Sequence, residues 1–285
     1  MTPSCSSCRI SSSFFVRHNT IVFQDTEEFC NTDENLKRAI QESIKGTKFY
    51  GADDYPPIPE RKFKKTLVSV LKRRTFDSAI SMQRKHLESR IVVHNFASAT
   101  NPGGGVKYGS RAQEEALCRC STLYSVLNTD DNWKKFYSVN RERQNALHDD
   151  ACIYTPEIII CKTDIERPAR LPRDRWDTVD VITIAAPNLR KFEISDEELF
   201  ALQEKRIRHM FTVVADQGAE IFVTGAFGCG AFKNNPEVVA AAYKKVVPEF
   251  AGYFREIVFA IYCRPNELHN FEAFKRAFAK EKKGD

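Results

Sequence analysis

The sequence has few of the residues that mark fibrous, linker-like or membrane-spanning chains. Twelve glycines and twelve prolines among 285 residues exclude a collagen-like or linker composition. No segment approaches the roughly 20 consecutive apolar residues that a membrane-spanning helix needs. The first residues have no basic stretch followed by an apolar one, so we expect no secretory signal peptide. The 21 phenylalanines and the many isoleucines and valines exclude disorder as the main state and predict a folded core.

The net charge is small, and the cysteines follow no regular spacing. The chain has 43 Lys and Arg against 38 Asp and Glu, a net charge of +5, which suits an anionic ligand without requiring nucleic acid. Nine cysteines at irregular spacing favour reduced thiols and a cytoplasmic location, or a nuclear one in a eukaryote. Cys5 and Cys8 form a lone C-x-x-C. A zinc site needs about four ligands, and no second pair follows, so we predict no metal site.

Apolar runs of strand length alternate with longer amphipathic segments. Because these runs are rich in valine and isoleucine and nearly continuous, they suit strands that are buried on both faces. The alternation predicts an α/β protein, a three-layer α/β/α sandwich with a mixed, mostly parallel central sheet. We expect residues 1–19 to form a mobile tail and residues 20–285 to form one domain. The predicted strands are 20–23, 90–96, 151–161 (one strand, or two broken at Pro156), 179–186, 219–224 and 256–263, and the predicted helices are about 34–45, 75–88, 111–127, 195–217, 236–247 and 267–281.

The densest motif follows the predicted strand at residues 90–96. A loop of polar side chains and three consecutive glycines leads into the helix that begins near residue 111. Glycine lacks a Cβ, so such a loop lets backbone N–H groups approach a ligand closely. Ser110 and Gln113 fit a capping box, which places Glu114 and Glu115 in the first helical turn or just after it. The loop contains Asn95, Ala97, Ser98, Thr100, Asn101, Gly103, Gly104 and Gly105.

The alternative is that the glycines form a simple turn and the two glutamates only stabilise the start of the helix. Carboxylates at a helix N-terminus contribute roughly 0.3–1 kcal/mol without any function. Adjacent helical residues point about 100° apart, so Glu114 and Glu115 do not form an acid and nucleophile pair across a substrate. One of them can act as acid and base while the other positions the substrate.

A second glycine loop follows the predicted strand at residues 219–224. It contains Gly225, Gly228 and Gly230, and Asn235 and Pro236 then predict the start of the next helix. The spacing is neither that of a Walker A loop nor that of the dinucleotide fingerprint. A tight turn is the alternative, but two such loops in one α/β domain favour a diphosphate ligand.

Other polar residues near these loops have simpler interpretations. Asn188 follows the strand at residues 179–186, where a plain Pro-Asn turn is the alternative to a binding role. Cys118 and Cys120 are interpreted as packing residues behind Glu115. Cys229 could act as a nucleophile in principle, but no histidine lies near it in the sequence.

Together these motifs resemble the bacterial-type poly(ADP-ribose) glycohydrolase family, a branch of the macrodomains. The signature of that family is similar to a glycine triplet, six to eight residues, and then Gln-Glu-Glu. Here seven residues separate the triplet from Gln113, Glu114 and Glu115. The residues at 95–102, 186–188 and 225–232 match in the same order, and the resemblance runs from about residue 20 to 280.

The resemblance implies a macrodomain that binds ADP-ribose. Glu115 would be the catalytic residue, Glu114 would orient ribose hydroxyls, and Asn101 would bind the proximal ribose. The loop at residues 225–232 would close over the diphosphate, with Phe227 against the ribose. Phe271, after the last strand, is a candidate for stacking on adenine. The implied substrate-binding set is Ala97, Asn101, Gly103, Gly104, Gly105, Gln113, Asn188, Gly225, Ala226, Phe227, Gly228, Cys229, Gly230 and Phe232.

The implied activity is hydrolysis of the ribose–ribose O-glycosidic bonds of poly(ADP-ribose), which releases ADP-ribose, generally from the chain terminus. Polymer or ADP-ribosylated protein would be the substrate, and reversal of ADP-ribosylation, including in the DNA damage response, would be the role. The implied activity requires no cofactor, no metal, no membrane and no direct binding to nucleic acid. The alternatives are a hydrolase that removes a single ADP-ribose from a protein or nucleobase, and a non-catalytic ADP-ribose reader, which would not need the paired glutamates.

Overall fold

The computed structural model describes the backbone of residues 6–279 and the side chains of residues 16–279. Strands and helices alternate through most of this range, as the apolar pattern predicts. The strands are β1 (Lys48–Tyr50), β2 (Leu67–Leu71), β3 (Ile91–Phe96), β4 (Cys152–Ile160), β5 (Asp177–Ile184), β6 (Ile221–Thr224) and β7 (Glu256–Ala260). The helices are α1 (Ser6–Thr32), α2 (Glu34–Gly46), α3 (Thr75–Lys85), α4 (Gln113–Cys120), α5 (Leu123–Leu127), α6 (Asp130–Asn132), α7 (Ser138–Arg143), α8 (Asp196–Asp216), α9 (Pro236–Val246) and α10 (His269–Ala277).

The strands form one mixed sheet of seven strands in the order β1-β4-β5-β3-β6-β7-β2. Strand β4 runs antiparallel to both of its neighbours, and the other pairings are parallel. The carboxyl ends of β5, β3, β6 and β7 therefore lie at one edge of the sheet. Ligands of open parallel sheets bind at that edge.

Apolar side chains cover both faces of the sheet, which is why the strands read as continuous apolar runs. Successive residues of β3 alternate between two cores. Val92 packs with Phe211 and Tyr243 on the face covered by α8, α9 and α10, whereas Val93 packs with Leu117 on the opposite face. The predicted three-layer α/β/α sandwich is confirmed.

One predicted strand is wrong. Residues 20–23 lie within helix α1 instead of forming a strand. Val22, Phe23, Thr26 and Cys30 are buried, and the steps of three and four residues from Phe23 to Thr26 and on to Cys30 are those of a helix face. A window of four residues is too short to show this period. The proposed boundary between residues 19 and 20 falls inside the helix, and the division into tail and domain stays a prediction.

The other predicted strands and the helix starting near residue 34 agree with the structure to within a few residues. Residues 151–161 form a single strand, and a bulge between Thr155 and Ile158 accommodates Pro156. The helix expected over 111–127 is interrupted at Ser121, which bridges to Ile160. Sequence patterns missed the short strands β1 and β2 and the helical segment from α6 to α7.

The described residues contain no helix with the length and apolarity to cross a membrane. Within the same residues, no group of three or more His, Cys, Asp or Glu side chains is placed to hold a metal ion. Cys5 and the side chain of Cys8 lie outside the described residues. The seven cysteines with described side chains are free thiols.

Candidate active site

A cavity of about 840 Å³ opens at the carboxyl ends of β3, β5, β6 and β7. Both glycine loops and the start of α4 contribute to its walls, so the two motifs belong to one site. A volume of this size lies within the range of small-molecule and cofactor sites. Of the predicted site residues, those that line the cavity are Asn101, Gly104, Gly105, Gln113, Glu114, Glu115, Ala226, Phe227, Gly228, Gly230 and Phe232.

Five predicted binding residues do not line this cavity. Ala97 is buried, and its N–H donates to the Ile184 carbonyl at 3.1 Å. Gly103 packs against Tyr124 and Cys118, and Gly225 lies against the Ala260 carbonyl. These three support the loops from behind. The other two, which have different surroundings, are Asn188 and Cys229.

Asn188 and Cys229 are held by hydrogen bonds to other protein groups. The Asn188 side-chain oxygen accepts a hydrogen bond from Arg190 Nε at 3.0 Å, and its N–H donates to the Ala146 carbonyl. The Cys229 thiol donates to the Phe227 carbonyl at 3.5 Å. Burial raises the pKa of the Cys229 thiol well above its usual range. It therefore stays protonated, which does not favour a nucleophilic role.

The predicted capping box is wrong, and Gln113 has a different structural role. Helix α4 begins at Gln113, its N-cap is Ala112, and no side chain of the described residues caps it. The Gln113 side chain accepts the Phe96 N–H at 2.9 Å and donates to the His94 carbonyl at 2.6 Å. It also donates to Thr75 Oγ1 at 3.1 Å. Gln113 thereby fixes the start of α4 to the end of β3 and to α3.

Glu114 occupies the first turn of α4, as predicted, and is 2% exposed. Its Oε2 accepts the Ser98 N–H at 2.7 Å, and its Oε1 lies 3.3 Å from Asn95 Nδ2. Burial, with added repulsion from Glu115, raises the pKa of Glu114 to about 8, although the hydrogen bonds from Ser98 and Asn95 oppose the rise. Desolvation therefore outweighs the helix dipole at Glu114, whose carboxyl is protonated at neutral pH.

Glu115 lies beside the glycine triplet and is 7% exposed. Its Oε1 accepts the Gly105 N–H at 2.9 Å. Its Oε2 is buried without a hydrogen-bond partner among the described residues. A buried polar atom without a partner is costly unless a ligand or a proton satisfies it. One oxygen of Glu115 is thus fixed by the loop, and the other is available to a bound molecule.

Gly104 explains why the triplet must be glycine at its centre. Its φ is +56°, and a Cβ at this position would lie 2.5 Å from Glu115 Oε1 and 3.1 Å from Glu114 Oε2. The side chains of Glu114 and Glu115 therefore approach the loop at Gly104, where there is no room for a Cβ.

Arg141 of α7 supports Asn101, a contact that sequence patterns did not predict. The Arg141 guanidinium donates to the Thr100 carbonyl at 2.8 Å and to Asn101 Oδ1 at 2.5 Å. It also stacks on Trp133, 4.6 Å from the ring centre. Asn101 is thereby held at the cavity rim by a residue 40 positions further along the chain.

Helix α1 packs on the outer side of the first glycine loop. Asn19 donates from Nδ2 to the Gly109 carbonyl at 3.1 Å, and Val16 lines the cavity. Helix α1 contains no polar motif that indicates a site, so its contribution to the cavity could not be predicted from the sequence.

The second glycine loop is fixed to the layer behind it. Gly228 has a φ of +76°, and a Cβ there would lie 2.6 Å from the Ala186 side chain. Asn234 Nδ2 donates to the Pro187 carbonyl at 2.6 Å, and Asn234 Oδ1 accepts from Gln203. Helix α9 starts at Pro236 with Asn235 as its N-cap, as predicted.

Phe227 contributes to the cavity wall from the interior. It is 0% exposed, and its ring packs against His94 and Phe96 at centroid distances of 4.4 and 5.7 Å. In this conformation the ring supports the loop rather than offering a surface to a ribose. Phe232 of the same loop is only half-buried and lines the cavity.

Several cavity residues were not predicted. The Arg74 guanidinium stacks on Tyr262, 4.2 Å from the ring centre. Phe271 packs against the core, and its neighbour Asn270 lines the cavity instead. The end of β7 could have been grouped with the other strand ends, which would have indicated Tyr262. The unpredicted lining residues include Arg74, Thr75, Tyr108, Arg111, Asp164, Arg190, Tyr262 and Asn270.

Comparison with known proteins decides which family has this arrangement. Residues 18–163, about half of the chain, match the family model of the microbial-type PARG catalytic domain. The chain belongs to the microbial-type PARG family. PARG denotes poly(ADP-ribose) glycohydrolase, so the predicted family and enzyme class are confirmed. A search of curated proteins by sequence gave no match.

Solved PARG structures share the fold across most of this chain. PARG from Thermomonospora curvata superposes with a TM-score of 0.83 at 26% identity, covering 92% of this chain and 100% of that one. The same enzyme bound to the inhibitor ADP-HPD gives a TM-score of 0.81 at 26% identity and the same coverage. PARG from Deinococcus radiodurans in complex with ADP-ribose gives 0.72 at 31% identity, covering 84% of this chain and 97% of that one.

Proposed function

We propose that this PARG binds the terminal ADP-ribose unit of poly(ADP-ribose) and releases it by hydrolysis, with Glu115 as general acid and base. The observation that carries the proposal is Glu115 Oε2, which has no hydrogen-bond partner among the described residues and is buried beside the glycine triplet in a cavity of about 840 Å³. PARG from Deinococcus radiodurans has been solved in complex with ADP-ribose, which supports the same ligand class for this cavity.

Binding follows from the groups at the cavity wall. The second glycine loop presents backbone N–H groups to the diphosphate, since no Cβ at Gly228 or Gly230 keeps the anion at a distance. In the triplet, the Gly104 and Gly105 N–H groups donate instead to the Asn101 carbonyl and to Glu115. Asn101, held by Arg141, hydrogen-bonds the proximal ribose next to the scissile bond. Gly228 and Phe232 also line the cavity, and we assign to their loop the enclosure of the diphosphate.

The chemical step uses Glu115 twice. Its carboxyl donates a proton to the departing 2′-oxygen while the bond from that oxygen to the anomeric carbon breaks. The negative charge of the nearby diphosphate stabilises the positive charge of the resulting oxocarbenium-like centre. Water then adds to the anomeric carbon, and its proton returns to Glu115. General acid–base groups of this kind contribute typically 10²–10⁴-fold to the rate.

Glu114 has a different task because each of its oxygens already accepts one hydrogen bond and can accept only one more. The contacts to Ser98 and Asn95 hold it in place, and its proton at neutral pH limits the negative charge near an anionic substrate. We assign it the orientation of ribose hydroxyls.

The seven described free thiols support a reducing compartment such as the cytoplasm for this activity. A role after DNA damage stays a prediction.

The test compares purified parent protein and Glu115→Gln on poly(ADP-ribose) and on mono-ADP-ribosylated protein. We expect the parent to release free ADP-ribose from polymer, and Glu115→Gln to lose about 10²–10⁴-fold in kcat while its affinity for ADP-ribose changes little. Glu198→Gln is the matched control, an exposed glutamate in the first turn of α8.

Two results would contradict the proposal. Full polymer turnover by Glu115→Gln would remove Glu115 from the mechanism. Release of ADP-ribose from the mono-modified protein alone would instead identify a mono-ADP-ribosyl hydrolase.

A further inference from the structure

A small recess of about 60 Å³ adjoins the main cavity. The two share part of their walls, including Arg74, Arg111 and Tyr262. The recess therefore lies between α4 and the segment that follows β7. The reaction proposed above uses none of the residues that are specific to it.

Arginine side chains dominate the walls of the recess. Four of them line it, against two carboxylates, so positive charge is in excess. Guanidinium groups bind phosphate oxygens through paired, charge-assisted hydrogen bonds. A volume of about 60 Å³ is sufficient for a phosphate group but not for a nucleoside. The four arginines are Arg74, Arg111, Arg119 and Arg264, and the two carboxylates are Asp164 and Glu166.

Two of these arginines are held in place before any ligand binds. Arg119 is 5% exposed and donates to the Ser110 carbonyl at 2.6 Å. Arg74 stacks on Tyr262 and lies 3.6 Å from the Asp164 carboxylate. Side chains that are already ordered lose less conformational entropy when a ligand binds, and this favours affinity.

The recess is also close to the catalytic carboxylate. Ala116, the residue after Glu115, contributes to its wall, and Arg119 follows Glu115 by four residues on the same helix. Residues four apart share a helix face and are separated by about 6 Å along the axis. A group bound in the recess would therefore lie about one helical turn from Glu115.

We propose that the recess binds a phosphate of the diphosphate in the ADP-ribose unit adjoining the one that occupies the main cavity. The enzyme then holds two consecutive units of the polymer and prefers polymer to an isolated ADP-ribose. Each unit carries one diphosphate, and the first is accommodated by the second glycine loop, so the arginines meet the second. This inference rests on the function proposed above.

The test measures equilibrium binding of ADP-ribose and of its linear dimer to the full chain carrying Glu115→Gln, which prevents turnover. Isothermal titration at low salt gives both dissociation constants. We expect the dimer to bind about tenfold more tightly than the monomer, as charged hydrogen bonds to one further phosphate provide. The advantage should shrink as salt is added, since exposed arginines contribute to it.

Arg264→Glu isolates the recess, because Arg264 lines the recess but not the main cavity. We expect this variant to lose most of the advantage of the dimer while monomer affinity stays the same. Arg276→Glu is the matched control. Both arginines are exposed, at 52% and 59%, and each is paired with one glutamate, so the change in net charge is the same.

Three results would overturn the inference. The first is equal affinity for monomer and dimer, and the second is an equal loss of the dimer's advantage in both arginine variants. The third is binding of inorganic pyrophosphate to the ADP-ribose-saturated protein without any advantage for the dimer, which would indicate a site for free phosphates. If neither ADP-ribose nor its dimer binds, the proposed function itself fails, and the inference fails with it.

Discussion

Glu114→Gln should change how the stability of the protein depends on pH. The substitution keeps the shape of the side chain and removes its titration. The carbonyl oxygen of the introduced amide can still accept the Ser98 N–H. The amide nitrogen takes the place of Oε1, which accepts from Asn95 Nδ2 at 3.3 Å. The Asn95 amide must therefore rotate to present its Oδ1, which is buried without a partner among the described residues. The cost of this rotation does not depend on pH, so a pH-dependent difference between parent and variant reports the proton of Glu114.

The magnitude follows from the raised pKa of Glu114, about 8 against an ordinary 4.5. Below pH 4.5 the carboxyl is protonated in both the folded and the unfolded chain, and no penalty arises. As the pH rises from 4.5 to about 8, the unfolded chain loses a proton that the folded chain keeps, so folding becomes less favourable. At about 1.36 kcal/mol per pH unit, the loss between about pH 5 and pH 8 is about 4 kcal/mol.

Urea unfolding of the parent and of Glu114→Gln at pH 5, 6.5 and 8 gives the free energies. We expect the stability of the parent relative to the variant to fall by about 4 kcal/mol across this range, because contributions from other groups cancel in the difference. Glu198→Gln, at an exposed position, should show a difference that is small and constant. A parent–Glu114→Gln difference that does not change between pH 5 and pH 8 would refute the reasoning.

Two further predictions concern the glycine triplet and the deep core. Gly104→Ala should lower kcat about 100-fold, because its Cβ would displace Glu115. Gly218→Ala, with a φ of +77° and only an ordinary contact of 3.8 Å from its Cβ to Lys62 Nζ, should lose stability and keep its kcat, and equal kcat in the two variants would contradict this. Asp150→Ala should lower the free energy of unfolding by about 3–5 kcal/mol in urea titrations, because it leaves Arg206 buried without its partner. Asp131→Ala, which breaks an exposed pair with Lys135, should lower it by less than about 1 kcal/mol, and similar losses would count against the role of burial.

The position of Glu114 and Glu115 in the first turn of α4 was predictable, because it depends on local spacing between a glycine loop and a helix. The reason for that spacing was not. Ser110 and Gln113 have the separation of a capping box, but the partners of Gln113 are Phe96, His94 and Thr75, up to 38 residues away. A local pattern cannot distinguish a side chain that caps its own helix from one that joins three elements.

The raised pKa of Glu114 is likewise a tertiary property. From the sequence, a helix N-terminus indicates an ionised carboxylate. Burial reverses that expectation, and burial depends on β3 and on the loop that folds over α4. Phe227 shows the same limit, because the family resemblance implies a ring against the ribose, whereas the fold places this one against His94 and Phe96.

By itself the sequence determined the buried strands, the layered α/β architecture, the family signature and the two carboxylates, since each of these is encoded within a short stretch of chain. The tertiary structure decided what surrounds them. It turned residues 20–23 into part of a helix against the first glycine loop, left one oxygen of Glu115 without a partner among the described residues, and brought Arg74, Arg119 and Arg264 to one recess. These properties depend on contacts between residues tens to hundreds of positions apart, and only the packing of the complete sheet and its helices brings such residues together.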